Sequence, residues 1–268
     1  MNGPWDRLET LSPVGLGELV TEAELLQRVD RKYLVENPVA EAMLDALDPR
    51  TRVLAIDGRR EFAYDSVYFD TPDHLSYRLA ALRRRHRFKV RTRSYLDTGT
   101  SFLELKTRSG RGRTVKDRIP IDPGNRETLT QGGRAFLAGL LGHLGHDPAL
   151  VDELCPTLEI RYCRTTLLLP GGSRATIDRQ LRWEATGGGC STSLPDHIII
   201  ETKSTGRPGQ LDRALWRVGS RPVSLSKFGT GTAALHANLP SNKWARVLRG
   251  PFAQQSVTAG TQKLGETR

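Results

Sequence analysis

The sequence predicts an α+β fold in which antiparallel strands close into a β-barrel with a charged, inward-facing wall. Short segments that alternate between apolar and polar residues, separated by turns such as 97–100 and 170–173, indicate the antiparallel strands. At least four of these strands carry arginine or lysine on one face together with a carboxylate or polar partner. A single basic strand face is usually solvated. Its recurrence favours a closed sheet, because about eight strands leave an interior that can hold a small ligand.

Composition indicates a globular protein with an anionic partner. The 268 residues are 37% hydrophobic and 26% charged, with a net charge of +10 and a pI near 9.9. This balance is typical of proteins that bind nucleic acid, a membrane surface or a phosphate-rich small molecule. Three scattered cysteines predict neither a zinc site nor a disulfide framework. We find no signal peptide and no apolar run of roughly 20 residues, so we expect a soluble cytoplasmic protein.

The periodic patterns place the elements along the chain. Strands are predicted at 28–35, 60–70, 86–96, 101–109, 113–121, 157–169, 174–183 and 196–204. Helices are predicted at 15–27, 36–48, 71–82 (a turn and a short helix), 125–145, 210–219 and 224–235. In the second helix, Asn37 is expected to be the N-cap and Pro38 the first helical residue. No linker or tandem repeat divides the chain, so we expect one domain over 1–249 and a disordered tail over 250–268.

Period two places the charged side chains of each strand on one face. The sets that share a face are Lys89, Arg91 and Arg93; Phe102, Glu104 and Lys106; Arg174, Thr176 and Asp178; and His197, Ile199, Glu201 and Lys203. A barrel interior with such a wall is stable only if it is wet or filled by a polyanion, because unpaired buried charge is costly. The pattern therefore predicts a polyanion-binding interior, with a solvated sheet face as the alternative.

Lysine is scarce beside arginine, with eight lysines among the 40 basic residues. A compact ammonium and a planar guanidinium are not equivalent where a charge must approach a phosphate closely. The lysines that remain are therefore candidate phosphate contacts. The first six, all in or beside predicted strands, are Lys32, Lys89, Lys106, Lys116, Lys203 and Lys227.

Nine motifs occur in the order expected for the VTC domain, the catalytic domain of the vacuolar transporter chaperone polyphosphate polymerase, and the chain resembles that family over about residues 25–235. The motifs are RVDRKYLV, SVYFDTPDHLSYR, RFKVRTRSY, FLELKTR, TVKDRIPI, EIRYCRTTL, RATID, IIIETK and SLSKFGTG. The family belongs to the triphosphate tunnel metalloenzymes, which are CYTH-like. Its fold is an antiparallel β-barrel that forms a cation-lined tunnel, with helices packed outside. The resemblance implies ATP-dependent polyphosphate synthesis with Mn²⁺ or Mg²⁺.

The resemblance also implies a role for individual residues. The catalytic residues would be Lys106, Arg164 and Lys227. The residues that bind phosphate and ATP would be Lys32, Lys89, Arg91, Arg93, Lys116, Tyr162, Arg174 and Ser226. Glu201 would be the metal ligand, neutralised by Lys203 in the empty state; a plain ion pair between the two is the alternative. Glu104 and Asp178 are weaker metal candidates, because either could simply orient a neighbouring arginine.

These residue types suit phosphoryl transfer, which needs in-line positioning and cations on the oxygens where charge builds. Arg91 and Arg93 can grip successive phosphates bidentately. Lys106 and Lys227 suit the γ-phosphate and the receiving end of the chain as compact charges. For Arg91 and Arg93 the alternative is a solvated or salt-bridged strand face. For Lys106 and Lys227 the alternative is an ordinary surface lysine.

Two departures from the family pattern bear on function. The ExExK signature of the hydrolase and cyclase branches is absent, with VDRKY in its place, which favours a polymerase. The chain also has no phosphate-sensing SPX domain and no transmembrane segment, so coupling to translocation would need a separate membrane partner. Metal-dependent hydrolysis of triphosphate or polyphosphate remains an alternative, as does non-catalytic polyanion binding. Nucleic acid is not expected as a partner, because aromatic residues for base stacking make up only 6% of the chain.

Overall fold

A computed structural model describes residues 5–22, 29–108 and 114–258. The strands are β1 (Ser12–Val14), β2 (Val29–Glu36), β3 (Arg52–Leu54), β4 (Glu61–Asp70), β5 (Phe88–Tyr95), β6 (Thr100–Arg108), β7 (Thr114–Ile121), β8 (Cys155–Leu169), β9 (Ser173–Ala185), β10 (Ser191–Leu194) and β11 (His197–Ser204). The helices are α1 (Asp6–Thr10), α2 (Leu16–Glu22), α3 (Asn37–Asp45), α4 (Leu75–Ala81), α5 (Gln131–His143), α6 (Leu150–Glu153), α7 (Gln210–Arg217), α8 (Lys227–Leu235) and α9 (Ala245–Arg249). The fold is therefore α+β, as predicted.

The main sheet is antiparallel and open. Its hydrogen-bonded order in the described residues is β2-β11-β9-β8-β4-β5-β6-β7, so β2 and β7 are its end strands. The predicted closure into a barrel is thus corrected to an open sheet. The sequence of β7 fits an end position, because Lys116, Arg118 and Pro120 are the kinds of residue that protect a strand with one free edge.

The contacts between residues divide the chain into two compact units. Each of the strands β4, β8 and β9 has some of its residues in one unit and the rest in the other. Unit 1 contains 1–63, 162–181 and 194–225, and unit 2 contains 64–161, 182–193 and 226–268, each as far as it is described.

Unit 1 packs α3 and α7 against one face of its strands. Tyr33 and Ile200, neighbours in the pairing of β2 with β11, are fully buried in this core. Asp212 on α7 is buried as well, and it accepts hydrogen bonds from the Tyr33 hydroxyl at 2.7 Å and from Thr202 Oγ1 at 2.6 Å. The face opposite this core carries Lys32 and Glu201, because side chains alternate along a strand.

Unit 2 packs α5 and α6 against one face of β4, β5 and β6. Val90, Leu103 and Leu105 are buried from the strands, and Leu137 and Leu141 from α5. The other face of β5 and β6 is the charged one. The period-two argument is therefore confirmed for these strands, and the charged faces lie away from the two apolar cores.

Several local predictions are corrected in detail. The helix expected at 15–27 is α2, which ends its described part at Glu22; 23–28 lie outside the described residues. Asn37 is not the N-cap of α3 but its first residue, and its side-chain amide donates to the carbonyl of Pro195 at 3.3 Å. The short strands β1, β3 and β10 were not predicted.

The predicted tail is described only up to residue 258. Phe252 is buried, with its ring centroid 5.1 Å from that of Trp183, and Thr258 forms a β-bridge with Ser191. Residues 259–268 lie outside the described part of the chain. None of the helices in the described residues is both long enough and apolar enough to cross a membrane.

Candidate functional site

The charged face of unit 2 lies on three neighbouring strands. On β5, burial alternates strictly, with Lys89, Arg91 and Arg93 half-buried and the residues between them buried. Lys106 on β6 and Lys116 on β7 are exposed. We call this set the β5–β7 face and add Glu104, which is 1% exposed. Every one of these residues is among those that the sequence predicts for the site.

Strand register brings three lysines into one row. Lys89 is the pairing partner of Lys106, and Lys106 is the pairing partner of Lys116. Neighbouring strands are about 5 Å apart, so this row places three ammonium groups on adjacent strands of one face. Like charges directly opposite each other destabilise a sheet unless an anion lies between them. The row therefore has the charge and spacing of an anion-binding surface.

Glu104 holds Arg91 in place within this face. Its Oε2 accepts from Arg91 Nε at 2.8 Å and from Arg91 Nη2 at 2.5 Å, and its Oε1 lies 3.2 Å from Lys116 Nζ. Burial raises the pKa of the Glu104 carboxyl, but the charges of Arg91, Arg93 and Lys116 outweigh it and lower the pKa to about 2. The ionised carboxylate of Glu104 orients Arg91. The sequence offered two roles for Glu104, a metal ligand or a partner that orients an arginine, and the contacts are those of the second.

Tyr68 completes the orientation of Arg91 and was missed in the sequence. The Arg91 Nη1 group donates to the Tyr68 hydroxyl at 2.8 Å, because Tyr68 is the pairing partner of Arg91 across β4 and β5. Period two alone places Tyr68 on one face of its strand. Only the register shows that this is the face of Arg91.

Helix α8 brings Ser226 and Lys227 to unit 2. Ser226 is the N-cap of α8, and its Oγ accepts from Lys89 Nζ at 2.8 Å and from the Gly229 N–H at 3.1 Å. The Lys227 carbonyl accepts from Trp183 Nε1 at 2.9 Å. The two predicted residues of the LSKF motif are therefore anchored through hydrogen bonds, one of them to a lysine of the β5–β7 face.

The candidate residues of unit 1 centre on Glu201. Its Oε2 lies 2.5 Å from Lys32 Nζ, and its Oε1 accepts from Lys203 Nζ at 2.6 Å. Burial raises the pKa of the Glu201 carboxyl, but the two ammonium groups outweigh it and hold the pKa well below its ordinary value. The ion pair between Lys203 and Glu201 that the strand pattern allowed is present.

Arg164 and Asp178 form a second ion pair in unit 1. Arg164 donates through Nε at 2.6 Å and through Nη2 at 2.9 Å to the two carboxylate oxygens of Asp178, which is fully buried. The guanidinium carbon lies 5.3 Å from the centroid of the Tyr162 ring. Arg174 on β9 pairs in register with Lys203 on β11. We call Lys32, Tyr162, Arg164, Arg174, Asp178, Glu201 and Lys203 the Glu201 cluster.

Glu201 is the residue on which a divalent metal could be held. No three His, Cys, Asp or Glu side chains within the described ranges lie close enough together to hold one. Glu201 supplies one carboxylate, and both of its oxygens already contact ammonium groups. Mg²⁺ is often held by one or two carboxylates together with substrate phosphates. Glu201 therefore fits a metal that shares its ligands with a phosphate, but does not form a complete protein site.

The fold and these clusters define an α+β protein with a large antiparallel sheet whose charged faces carry oriented arginine and lysine side chains. The family model of the VTC domain matches residues 27–236 of the chain. The chain therefore belongs to the VTC domain family. Family membership gives the chain a polyphosphate-related function. It also indicates an enzyme of phosphoryl transfer or hydrolysis.

Solved structures show more distant likeness. A Hippeastrum protein, HpAC1, described as an adenylyl cyclase candidate with a dominant triphosphatase activity, is 20% identical; the match has a TM-score of 0.48 and covers 81% of this chain and 100% of that one. A conserved protein of Pyrococcus furiosus is 13% identical with a TM-score of 0.37, covering 72% and 88%. The PH1012 protein of Pyrococcus horikoshii is 14% identical, also with a TM-score of 0.37 and coverage of 72% and 88%. No curated protein matches the chain.

Proposed function

We propose that this chain is an ATP-dependent polyphosphate polymerase, which transfers the γ-phosphate of ATP to the end of a growing polyphosphate chain. Membership of the VTC domain family supports a polyphosphate substrate. The observation that carries the proposal is the row of Lys89, Lys106 and Lys116 beside an arginine already oriented by Glu104. Phosphoryl transfer depends on such positioned cations more than on any covalent step.

Within the β5–β7 face, we assign the grip on phosphate oxygens to Arg91 and Arg93. The guanidinium of Arg91 is preorganised by Glu104 and Tyr68, so it loses little freedom when it binds. Lys106 is exposed, and Lys227 begins α8; their ammonium groups would neutralise charge on the transferred phosphate and on the receiving end. Lys89, Lys116 and Ser226 would bind the remaining phosphates.

Within the Glu201 cluster, Glu201 would hold Mn²⁺ or Mg²⁺ together with phosphate oxygens. Lys32 and Lys203 would then give up their contacts with the Glu201 carboxylate and contact phosphate oxygens instead. The metal would supply charge neutralisation on the triphosphate. Arg164, oriented by Asp178 as Arg91 is by Glu104, would act on the phosphoryl group, and Tyr162 and Arg174 would bind phosphate. The terminal oxygen of the acceptor is already ionised at neutral pH, so the reaction needs no general base.

The test is an incubation of the purified protein with ATP and Mn²⁺, with and without pyrophosphate as primer. ADP, free phosphate and polyphosphate are measured in the same samples. We expect polyphosphate to accumulate in step with ADP, and to be lost in Glu201→Ala, Lys106→Ala and Lys227→Ala. Arg221→Ala, an exposed arginine of unit 1 outside both clusters, is the control and should keep full activity.

Other outcomes would assign other functions. Free phosphate without polymer would make the protein a hydrolase in which water replaces the phosphate acceptor. Tight polyphosphate binding without any turnover of ATP would make it a receptor. Full activity in Lys106→Ala or Lys227→Ala would contradict the assignment of those lysines.

A further inference from the structure

A second group of cations in unit 2 has no role in the function proposed above. It contains Arg83, Arg87, Arg108 and Lys243, which we call the outer cluster. Arg87 and Arg108 lie at neighbouring ends of β5 and β6, where the Arg108 N–H donates to the Arg87 carbonyl at 3.0 Å. Arg87 precedes Lys89 by two residues and Arg108 follows Lys106 by two. Because faces alternate, both arginines continue the β5–β7 face.

The outer cluster brings four like charges together, and no acidic partner is found for them in the described ranges 5–22, 29–108 and 114–258. Lys243 is partly buried, and its Nζ donates to the Ala80 carbonyl at 2.6 Å. Burial, followed by the charges of Arg87, Arg83 and Arg108, lowers the pKa of Lys243 to about 8. Among the described residues no ion pair joins any of the four cations to Asp or Glu, and the adjoining segment 109–113, SGRGR, contains no acidic residue. Such a concentration of charge is unfavourable unless an anion binds there.

The loop between α4 and β5 is built to display this charge. Arg83 and His86 both have φ of 56°, a left-handed conformation that costs energy for residues other than glycine. Arg83, Arg84 and Arg85 are exposed, and Arg87 donates through Nη1 to the Arg84 carbonyl at 2.8 Å. Arg83 is the left-handed residue that ends α4, where the Arg83 N–H donates to the Ala80 carbonyl at 3.4 Å and the Arg84 N–H donates to the Leu79 carbonyl at 2.9 Å. The turn that follows the helix leaves the consecutive arginines at the surface.

We propose that the outer cluster binds the part of a polyphosphate chain that extends beyond the β5–β7 face, so that the protein recognises condensed phosphate longer than a triphosphate. This proposal rests on the proposed function for the identity of the polyanion. The six steps along the chain from Arg87 to Arg93 span about 20 Å of strand at roughly 3.3 Å per residue, a longer cationic track than one triphosphate occupies. A lipid surface is the less favoured occupant, although Leu82 beside the loop is 53% exposed, because the cluster continues a phosphate-binding face.

The test compares the affinity of long-chain polyphosphate with that of tripolyphosphate, measured by isothermal titration calorimetry. The variant is Arg83→Gln/Arg108→Gln, because both side chains are exposed and the fold should survive their loss. The control is Arg182→Gln/Arg221→Gln, which removes the same charge from exposed arginines outside the cluster. We expect long-chain affinity to fall about tenfold or more in the variant, the loss of one or two charged contacts, while tripolyphosphate affinity stays within about twofold.

Three results would overturn the proposal. Unchanged long-chain affinity would show that the outer cluster does not contact the chain. An equal loss of long-chain affinity in the variant and the control would show that the effect comes from the overall charge of the protein and not from the outer cluster. The variant could instead lose binding to phosphatidylcholine vesicles that contain phosphatidylserine while its affinity for polyphosphate stays unchanged. That result would assign the outer cluster to a membrane surface. Since binding needs no turnover, a protein without polymerase activity would still give a clear answer.

Discussion

At the scale of single residues, two buried carboxylates in this protein place arginine side chains. Glu104 and Asp178 each take an arginine through two hydrogen bonds, and both carboxylates are almost completely buried. Two such N–H bonds fix the plane of a guanidinium as well as its position. Arg91 and Arg164 are therefore oriented without a ligand, which would reduce the entropy lost if they bind phosphate as proposed.

Glu104 should make the stability of the protein depend on acid pH. Its pKa is about 2 in the folded protein, below its ordinary value of 4.5. A carboxyl whose pKa is lowered by folding stabilises the protein fully above its unfolded pKa, and the contribution disappears as pH falls towards the folded pKa. We expect Glu104→Gln to lower the free energy of unfolding by roughly 3 kcal/mol at neutral pH. This difference from wild type should shrink between pH 4.5 and pH 2.

Urea unfolding at several pH values measures that difference. Glu184→Gln is the matched control, because Glu184 forms an exposed pair with Arg182 at 3.3 Å, and such surface pairs contribute about 0–1 kcal/mol. A loss in Glu104→Gln that is equally large at pH 2 would mean that packing, not charge, accounts for the role of Glu104.

At the scale of elements, α8 depends on two glycines that had no assigned role in the sequence. A Cβ on Gly229 would lie 2.2 Å from Trp244 Cζ2, and a Cβ on Gly231 would lie 2.1 Å from Trp183 Cδ1. Residues two apart are about 200° apart around a helix, so the two indoles pack against nearly opposite sides of α8. The segment 229–232, GTGT, is therefore a packing motif within α8.

Alanine at either glycine should destabilise unit 2 although alanine is the better helix former. Overpacking costs typically 1–3 kcal/mol, which exceeds the roughly 1 kcal/mol of propensity gained. We expect Gly229→Ala and Gly231→Ala to lower the thermal midpoint. Gly139→Ala in α5, where no atom lies within 4 Å of the added carbon, should raise it. A higher midpoint in all three variants would contradict the close contacts.

Much of the strand pattern was predictable, because the two faces of β5 and β6 differ sharply in polarity. The alternation around Lys89, Arg91 and Arg93 gave the correct face. The partners across strands were not predictable, since a contact such as that of Tyr68 with Arg91 depends on register. For the same reason the packing of Trp183 on α8 was not predictable, since Trp183 and Lys227 are 44 residues apart in sequence. Closure of the sheet was predicted wrongly, because alternation shows that a strand has two faces but not whether its edge is paired.

At the scale of the whole molecule, a net charge of +10 should make anion binding strongly sensitive to salt. A ligand that binds only the folded protein stabilises it by about 2.7 kcal/mol at 100 times its dissociation constant. We therefore expect tripolyphosphate to raise the thermal midpoint at low salt by several degrees, and added sodium chloride to reduce the rise. Differential scanning fluorimetry measures both effects.

Lys106→Gln separates the β5–β7 face from the general charge of the protein. Lys106 is exposed at the centre of the lysine row, so its loss should reduce the shift caused by tripolyphosphate and leave the midpoint without ligand unchanged. Arg221→Gln removes the same charge and should keep the full shift. If both variants respond alike, the shift comes from net charge alone.

The packing of α8 between two indoles has an optical consequence. Of the four tryptophans in the chain, Trp183 and Trp244 contact this one helix, and Trp183 also donates to the carbonyl of Lys227. Any displacement of α8 that carries Ser226 and Lys227 with it must change the surroundings of at least one indole. The intrinsic emission of the protein is thus coupled to the helix that carries two of the residues proposed to bind phosphate, so that helix can be followed in solution without an attached dye.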